Sequence, residues 1–208
     1  MVETIDQVPD FDTTSGNWLC LDFTHTLDGR YDAHPRELLN NYSNLVSWGQ
    51  YVHILKDDEA RSLHEEATSH PLEASTALER ALVLREAIYR LFLAIAEDRS
   101  PQEADLATLN AELSEALSRT RIVPADHGFA WDWGGREVDL NSLLWQVARS
   151  AADLLTAGEL DAVQACAAED CRWLFVDTSK NRSRRWCDMK TCGNRSKARR
   201  HYERKKQA

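Results

Sequence analysis

The chain has 208 residues, of which 43% are hydrophobic and 28% charged, which is typical of a globular protein and excludes a disordered or fibrous one. That length suits one or two domains, and no apolar run approaches the roughly 18 residues of a membrane span. The acidic N-terminus lacks a signal-peptide pattern, so the sequence predicts a cytoplasmic protein. In a reducing compartment its cysteines are expected to bind metal or to take part in chemistry rather than to form disulfides.

Charge is divided unevenly along the chain. Residues 172–208 hold 13 basic and 3 acidic residues, a formal charge of +10. Residues 1–171 hold 12 basic and 31 acidic residues, a formal charge of −19. This asymmetry predicts an acidic body joined to a basic module that faces a polyanion, with a solvated basic tail as the alternative.

The residues before Cys166 predict a mainly helical body with small β elements. The first element, over residues 18–23, alternates apolar and polar side chains and is predicted to be a strand. Apolar residues at helical spacing then predict helices over 35–52, 57–70, 72–98, from Ser100-Pro101 onward, and over 141–156 with Gly158 as cap. Residues 129–140 predict a hairpin that turns at Gly134-Gly135.

Four of the five cysteines lie within 27 residues, in the order C-x4-C, 15 residues, C-x4-C. They are Cys166, Cys171, Cys187 and Cys192. Each pair supplies two thiolates from one tight turn, and four thiolates close a tetrahedron that leaves no position for water. The spacing therefore predicts one structural Zn²⁺, with four unligated core cysteines as the alternative. Residues 172–177, between the pairs, predict a short strand.

The segment after the last cysteine predicts a basic helix over residues 195–206, entered through a turn at Gly193 with Asn194 or Ser196 as its cap. Several cations held on one surface by a zinc-bound core are what contacts to nucleic-acid phosphates require. The alternative is a basic helix that docks on the acidic body or on another protein. The candidate nucleic-acid-binding residues are Arg184, Arg185, Arg195, Lys197, Arg199 and Arg200.

The body carries no catalytic signature, because it lacks the nucleotide-binding glycine fingerprint, G-x-S-x-G and H-E-x-x-H. On the predicted strand, Cys20 and Asp22 would share a face and His25 would lie on the other, which does not support a Cys–His nucleophile. We therefore predict that the chain is not an enzyme. A pocket for a small-molecule effector, with the candidates Asp22, His25, Arg85 and Trp133, stays open beside a purely structural or dimerising body.

Residues 184–198, RRWCDMKTCGNRSKA, resemble the CGNR zinc finger, which is named for Cys192-Gly193-Asn194-Arg195. Residues 175–177 and Asn181 also fit that pattern. Residues 19–23 with Thr26 resemble the opening motif of the ABATE domain, which usually precedes this finger, and residues 84–87 resemble its central helix. One departure is His25, which stands where the family tends to have Asn.

The resemblance implies a bacterial protein with an α-rich ABATE-like domain over residues 1–160 and a zinc finger with four cysteine ligands over residues 161–208. We expect the body to fold without the metal-dependent module. The family is described as stress-induced transcription regulators, so the finger is expected to bind DNA and the body to sense a ligand. Tyr202 is the only aromatic residue among the cations of the basic helix. Because single-strand binding favours several exposed aromatic residues, the sequence favours duplex over single-stranded DNA.

Alternative functions from other classes stay open. The same basic module could serve an RNA- or ribosome-associated binding protein, and the body could hold an enzyme or ligand-binding site. The sequence predicts no membrane partner and leaves the oligomeric state open, a homodimer included.

Overall fold

The computed structural model describes residues 9, 11, 18–125, 127–133, 138–158 and 160–206, apart from the side chains at 200, 201 and 203. The elements in chain order are α1 Leu19–Thr24, β1 Leu27–Asp28, β2 Arg36–Glu37, α2 Tyr42–Tyr51, α3 Asp57–Ser69, α4 Pro71–Ala96, α5 Glu103–Ser118, β3 Thr120–Ala125, β4 Gly128–Trp133, α6 Ser142–Thr156, β5 Val163–Ala165, β6 Leu174–Val176 and α7 Asn194–Lys206. The described residues form a mainly α fold with small β elements, as the sequence predicts, and their strands pair as three separate two-stranded antiparallel sheets, β1–β2, β3–β4 and β5–β6. None of the described helices combines the length and the apolar composition needed to cross a membrane.

Helix α4 is the centre of the body. Pro71 occupies its first turn, where a missing N–H has no consequence, and this 26-residue helix is rich in Ala, Leu, Arg and Glu. Ala81, Leu84, Ile88 and Leu91 are fully buried at helical spacing. The helix contacts α1, α2, α3, α5 and α6, so the main hydrophobic core forms around it. The predicted helix over 72–98 is confirmed.

Residues 19–24 form helix α1, so the predicted strand over residues 18–23 is wrong. Their backbone follows a helix in which the Leu21 and Asp22 N–H groups donate to the Trp18 carbonyl. Residues 20 to 24 are all buried, because α1 packs against both α4 and α6. A short apolar segment that is buried on every side shows no helical periodicity, and alternation alone therefore misleads.

Two predicted helices begin later than expected. Helix α2 starts at Tyr42 instead of residue 35, because the Asn41 side chain caps it by accepting from the Asn44 N–H at 2.9 Å. The residues before it form β2, which pairs with β1. Helix α5 starts at Glu103, two residues beyond the predicted start. The predicted helices over 57–70 and 141–156 are confirmed as α3 and α6.

The hairpin of the body uses a different partner strand from the one predicted. Strand β4 lies where the sequence places it, but it pairs with the preceding strand β3, in a register that joins Ala125 to Gly128. Gly134-Gly135 falls outside the described residues. Ile122 and Val123 favour a strand directly after α5, and Gly128 has φ of +119°, which only glycine adopts readily.

Strand β6 joins the body to the cysteine-rich module, and both of its faces are buried. Leu174 and Val176 belong to the main core of the body, whereas Phe175 belongs to the cluster formed by the four cysteines. This division follows from the strand's period of two, which sends alternate side chains to opposite faces. The strand predicted over 172–177 is confirmed as β6, and a division at residue 160 stays a prediction.

We expect neighbouring substitutions in β6 to act on different cores. Leu174→Ala should lower the free energy of unfolding of the helical signal by about 3 kcal/mol, because it leaves a cavity in the body. Phe175→Ala should instead speed zinc loss to a chelator, with a smaller effect on helix unfolding. Circular dichroism melts and a chromogenic chelator measure the two effects. Equal effects of both variants on both measurements would indicate one merged core.

Candidate zinc centre and nucleic-acid interface

The four cysteines of the two C-x4-C pairs come together as a buried cluster. Their Sγ atoms all lie within 4.8 Å of one another, and those of Cys171–Cys187 and Cys187–Cys192 are 3.7 Å apart. A tetrahedron with Zn–S bonds of about 2.3 Å has edges of about 3.8 Å, so the donor set fits one zinc ion. These residues, Cys166, Cys171, Cys187 and Cys192, form a structural site for one zinc.

The first cysteine pair is positioned by the end of the β5–β6 hairpin. The Cys166 N–H donates to the Trp173 carbonyl at 2.8 Å, which continues the hairpin to the ligand. The Ala168 carbonyl accepts from the N–H groups of Cys171 and Arg172, closing the turn that returns the second sulfur. The local fold is therefore set by backbone hydrogen bonds, and the thiolates are free to bind metal.

The second cysteine pair is positioned by a helical turn, Met189–Gly193, that leads directly into α7. Asp188 caps this turn by accepting from the Thr191 N–H at 2.7 Å, so the predicted caps Asn194 and Ser196 are wrong. A Cβ at Gly193 would lie 2.5 Å from the Met189 sulfur, so a larger residue there would have to displace this flexible, 46% exposed side chain. Helix α7 itself confirms the predicted basic helix.

Arg184 holds the finger together from inside. Its guanidinium donates to the carbonyls of Trp186 and Cys187 and lies 4.4 Å from the centre of the Phe175 ring. Its backbone N–H donates to buried Asp177 at 2.8 Å. Burial raises the pKa of Asp177, but hydrogen bonds from Ser179 and Arg184 outweigh it and hold that pKa below its ordinary value. The contacts give Arg184 a positioning role in the finger, and its predicted nucleic-acid contact stays a prediction.

The cations of α7 divide between two faces. Arg195 donates to Asp170 at 3.3 Å and to the Cys192 sulfur at 3.4 Å, and Arg199 lies 3.8 Å from Glu169. Both line a cleft of about 610 Å³ between α7 and the first cysteine pair. Burial opposes the charge of Arg195, but the Cys192 thiolate and Asp170 raise its pKa.

The other face of α7 carries exposed cations. Lys197 and Arg204 are both exposed, and they lie seven residues apart, which is two helical turns and therefore one face. Arg185, on the loop before the second pair, is exposed and lies 5.5 Å from the Trp186 ring centre. The side chain of Arg200 lies outside the described residues. The sequence did not separate these two faces, because the acidic partners lie about 25 residues earlier in the chain.

His25 and Asp22 of the body come together because α1 is a helix. The His25 Nδ1 lies 3.8 Å from the Asp22 carboxylate, an i, i+3 pair that the strand prediction placed on opposite faces. Burial lowers the His25 pKa to about 4, so the ring is neutral at pH 7 and its Nε2 donates to the Leu174 carbonyl at 2.9 Å. The ring also stacks on Trp173, with centroids 4.2 Å apart. His25 is therefore a contact between body and finger.

Arg85, predicted as an effector ligand, is buried in an ionic network. Its two terminal nitrogens donate to the Glu37 carboxylate at 2.7 Å each, and it also contacts Thr26 and Glu86. Sequence reasoning missed Glu37, since it lies 48 residues from Arg85 and follows no motif. Trp133 lies on β4, opposite Thr120, in a separate hairpin. The network fixes the loop after α1 on α4.

We expect one zinc per chain in protein purified without added metal, measured by plasma emission spectroscopy. Cys187→Ser should reduce the zinc content and unfold the finger, because the binding free energy of a structural zinc is folding free energy. Cys20→Ser is the matched control, since Cys20 is buried in the body and away from the cluster. Less than half an equivalent of zinc in a folded finger would contradict this.

His25 should make the protein less stable in acid. Its pKa of about 4 in the folded chain is below the ordinary value of 6.5, so between these pH values the unfolded state binds the extra proton. Stability that is full above pH 6.5 is therefore lost as the pH falls. Between about pH 7.5 and 5.5 the loss should be about 1 kcal/mol. His25→Gln should lack this part of the pH dependence in denaturant titrations, and identical profiles would refute it.

Comparison with known families accounts for both parts of the chain. The ABATE family, described as "Putative stress-induced transcription regulator", matches residues 17–158, more than half of the sequence. The CGNR zinc finger matches residues 163–205. No curated protein matches the chain. The chain therefore belongs to the ABATE family and carries a CGNR zinc finger at its C-terminal side.

Proposed function

We propose that the chain is a DNA-binding transcription regulator in which the zinc finger contacts duplex DNA. The observation that carries the proposal is the solvent-facing basic surface of the finger, formed by Arg185, Lys190, Lys197 and Arg204. A helix that begins beside four zinc-bound thiolates holds its cations in fixed positions, and this order reduces the entropy lost on binding phosphates. The family description supports a regulatory role.

The aromatic side chains of the finger favour duplex DNA over single strands. Trp173 stacks on His25 inside the molecule, and Trp186 is half-buried beneath Arg185. Tyr202 is 64% exposed on α7, so a single ring of the described finger stands clear to stack on a base. Proteins that bind single strands stack several bases on successive rings. Contacts of cations with the backbone of a duplex therefore suit this surface better.

For the body, the contacts favour a scaffold that holds the finger. The predicted effector ligands His25 and Arg85 both bind partners within the chain, and an effector at this place would have to displace them. We extend the proposal to a protein without enzymatic activity that acts on DNA in the cytoplasm of a bacterial cell. The experiment below distinguishes DNA binding from RNA binding by the same surface.

We expect the full, zinc-loaded chain to bind duplex DNA at about 50 mM salt and to lose affinity steeply by about 200 mM. Lys197→Ala and Arg204→Ala should each weaken binding and flatten the plot of log K against log salt by about one unit, because each removes one phosphate contact. Fluorescence anisotropy with labelled duplex, single-stranded DNA and structured RNA measures this.

The matched control is Arg61→Ala, which removes one exposed cation from α3 of the acidic body. It should leave both the affinity and the salt slope unchanged. Arg195→Ala and Arg199→Ala test the other face of α7, where acidic partners compete with phosphate. Absence of binding to any of the three nucleic acids at low salt would refute the proposal, and tighter binding to RNA would replace DNA as the partner.

A further inference from the structure

The β3–β4 hairpin presents apolar side chains to solvent. Ile122 is 61% exposed, Phe129 79% and Trp131 57%. Ile122 lies directly opposite Trp131 in the register, and Phe129 opposite Pro124, so these side chains share one face of the hairpin. A two-stranded hairpin is at best marginally stable alone in water, and an exposed apolar strand marks an interface.

The two edges of this hairpin differ in their capacity to pair. Two residues connect the strands, so the closing pair Ala125–Gly128 is of the hydrogen-bonded kind. Alternation then directs the N–H and C=O groups of residues 120, 122 and 124 outward on β3, and those of 129, 131 and 133 outward on β4. Pro124 has no N–H and interrupts the β3 edge, whereas β4 contains no proline.

The outer edge of β4 is open within the part of the chain that the structure describes, since β4 pairs there with β3 alone. We propose that β4 pairs antiparallel with β4 of a second copy of the chain, about a two-fold axis at Trp131. The result is a four-stranded sheet with the order β3-β4-β4-β3. This interface does not depend on DNA binding.

The sequence of β4 is complementary to itself in this register. Trp131 lies opposite Trp131 of the second copy, and Phe129 opposite Trp133, which gives cross-strand aromatic pairs. Asp132 lies opposite Ala130, so no like charges face each other. Asp132 also forms an ion pair with Arg121 of its own hairpin at 2.6 Å. One strand supplies both halves of an isologous contact, as a two-fold dimer requires.

The charge of residues 1–171 and the area of the exposed apolar face bear on which partner the hairpin binds and how strongly. The formal charge of −19 on residues 1–171 opposes an anionic membrane or a nucleic acid at this hairpin, and the same charge on a second copy weakens the association of two copies without excluding it. The two exposed rings and their neighbours offer only on the order of 300 Å² per copy, since an aromatic side chain buries about 150–250 Å² when fully covered. Because stable interfaces bury about 1,200 Å² or more in total, this dimer belongs to the weak, reversible class.

The first test is sedimentation equilibrium of the zinc-loaded full chain. We expect a monomer–dimer equilibrium with a dissociation constant in the micromolar range, and at least a tenfold weakening in Trp131→Ser and Phe129→Ser. Two controls remove exposed apolar side chains elsewhere: Leu72→Ser on α4, where Leu72 is 83% exposed, and Ile122→Ser on the interrupted edge. Both should change the dissociation constant less than threefold. Helical melts confirm that each variant folds.

The second test fixes the register. Cα atoms in a hydrogen-bonded antiparallel pair are about 5.5 Å apart, within the range of a disulfide. At about 500 μM chain, Trp131→Cys should therefore form an intermolecular disulfide with itself in oxidised glutathione, because oxidation traps even the dimer weakened by loss of the ring, whereas Asp132→Cys and the unmodified chain should not. A monomer at about 500 μM, where a dimer of this weak class should still form, an equal loss of dimer in the controls, or cross-linking through position 132 overturns the proposal. Binding to neutral phosphatidylcholine vesicles that is lost in Trp131→Ser, with a monomeric chain, overturns it in favour of a membrane contact.

Discussion

Strand β6 is the element on which both halves of the molecule depend. Its alternate residues face two cores, with Leu174 and Val176 in the helical body and Phe175 in the cysteine cluster. The zinc site closes one face of this strand, and helices α1 and α4 close the other. A strand of three residues is too short to be stable alone, so each core supports the other through it. The finger is consequently held against the body instead of hanging from a flexible linker.

Polar side chains at this junction bind within the chain, although among the described residues His25 Nδ1 and Trp173 Nε1 are buried without a hydrogen-bond partner. Neutral His25 donates to the backbone of β6 and stacks on Trp173, and the Tyr89 hydroxyl donates to the Arg172 carbonyl. Behind them, buried Arg85 binds Glu37 with two parallel hydrogen bonds. Arg85 also pairs with Glu86 at 3.0 Å, so its buried guanidinium is held by two carboxylates. These contacts give the body a fixed surface on which the finger is oriented.

Opposite charges within the finger shape how it meets a polyanion. Asp170 and Glu169, beside the first ligand pair, face Arg195 and Arg199, whereas Lys197 and Arg204 lie on the far side of α7. The paired side chains are largely exposed, so these contacts are weak and screened by salt. Among the described side chains they nevertheless distinguish a face of α7 that has acidic partners from one that has none. The proposed DNA contacts therefore concentrate on the basic surface of the finger that faces away from the first cysteine pair.

The sequence by itself determined what depends on chemistry and on local spacing. Four paired cysteines specify a zinc site, the apolar period specifies α4, and the run of cations after Cys192 specifies a basic helix. Tertiary structure alone decided which residues meet across long separations: Arg85 with Glu37, Arg184 with the carbonyls of the finger, and β4 with β3. It also decided that residues 19–24 form a helix. The sequence did not indicate this, because burial on every side removes the exposed face that helical periodicity needs. Such contacts depend on how elements pack, and no short stretch of sequence contains that information.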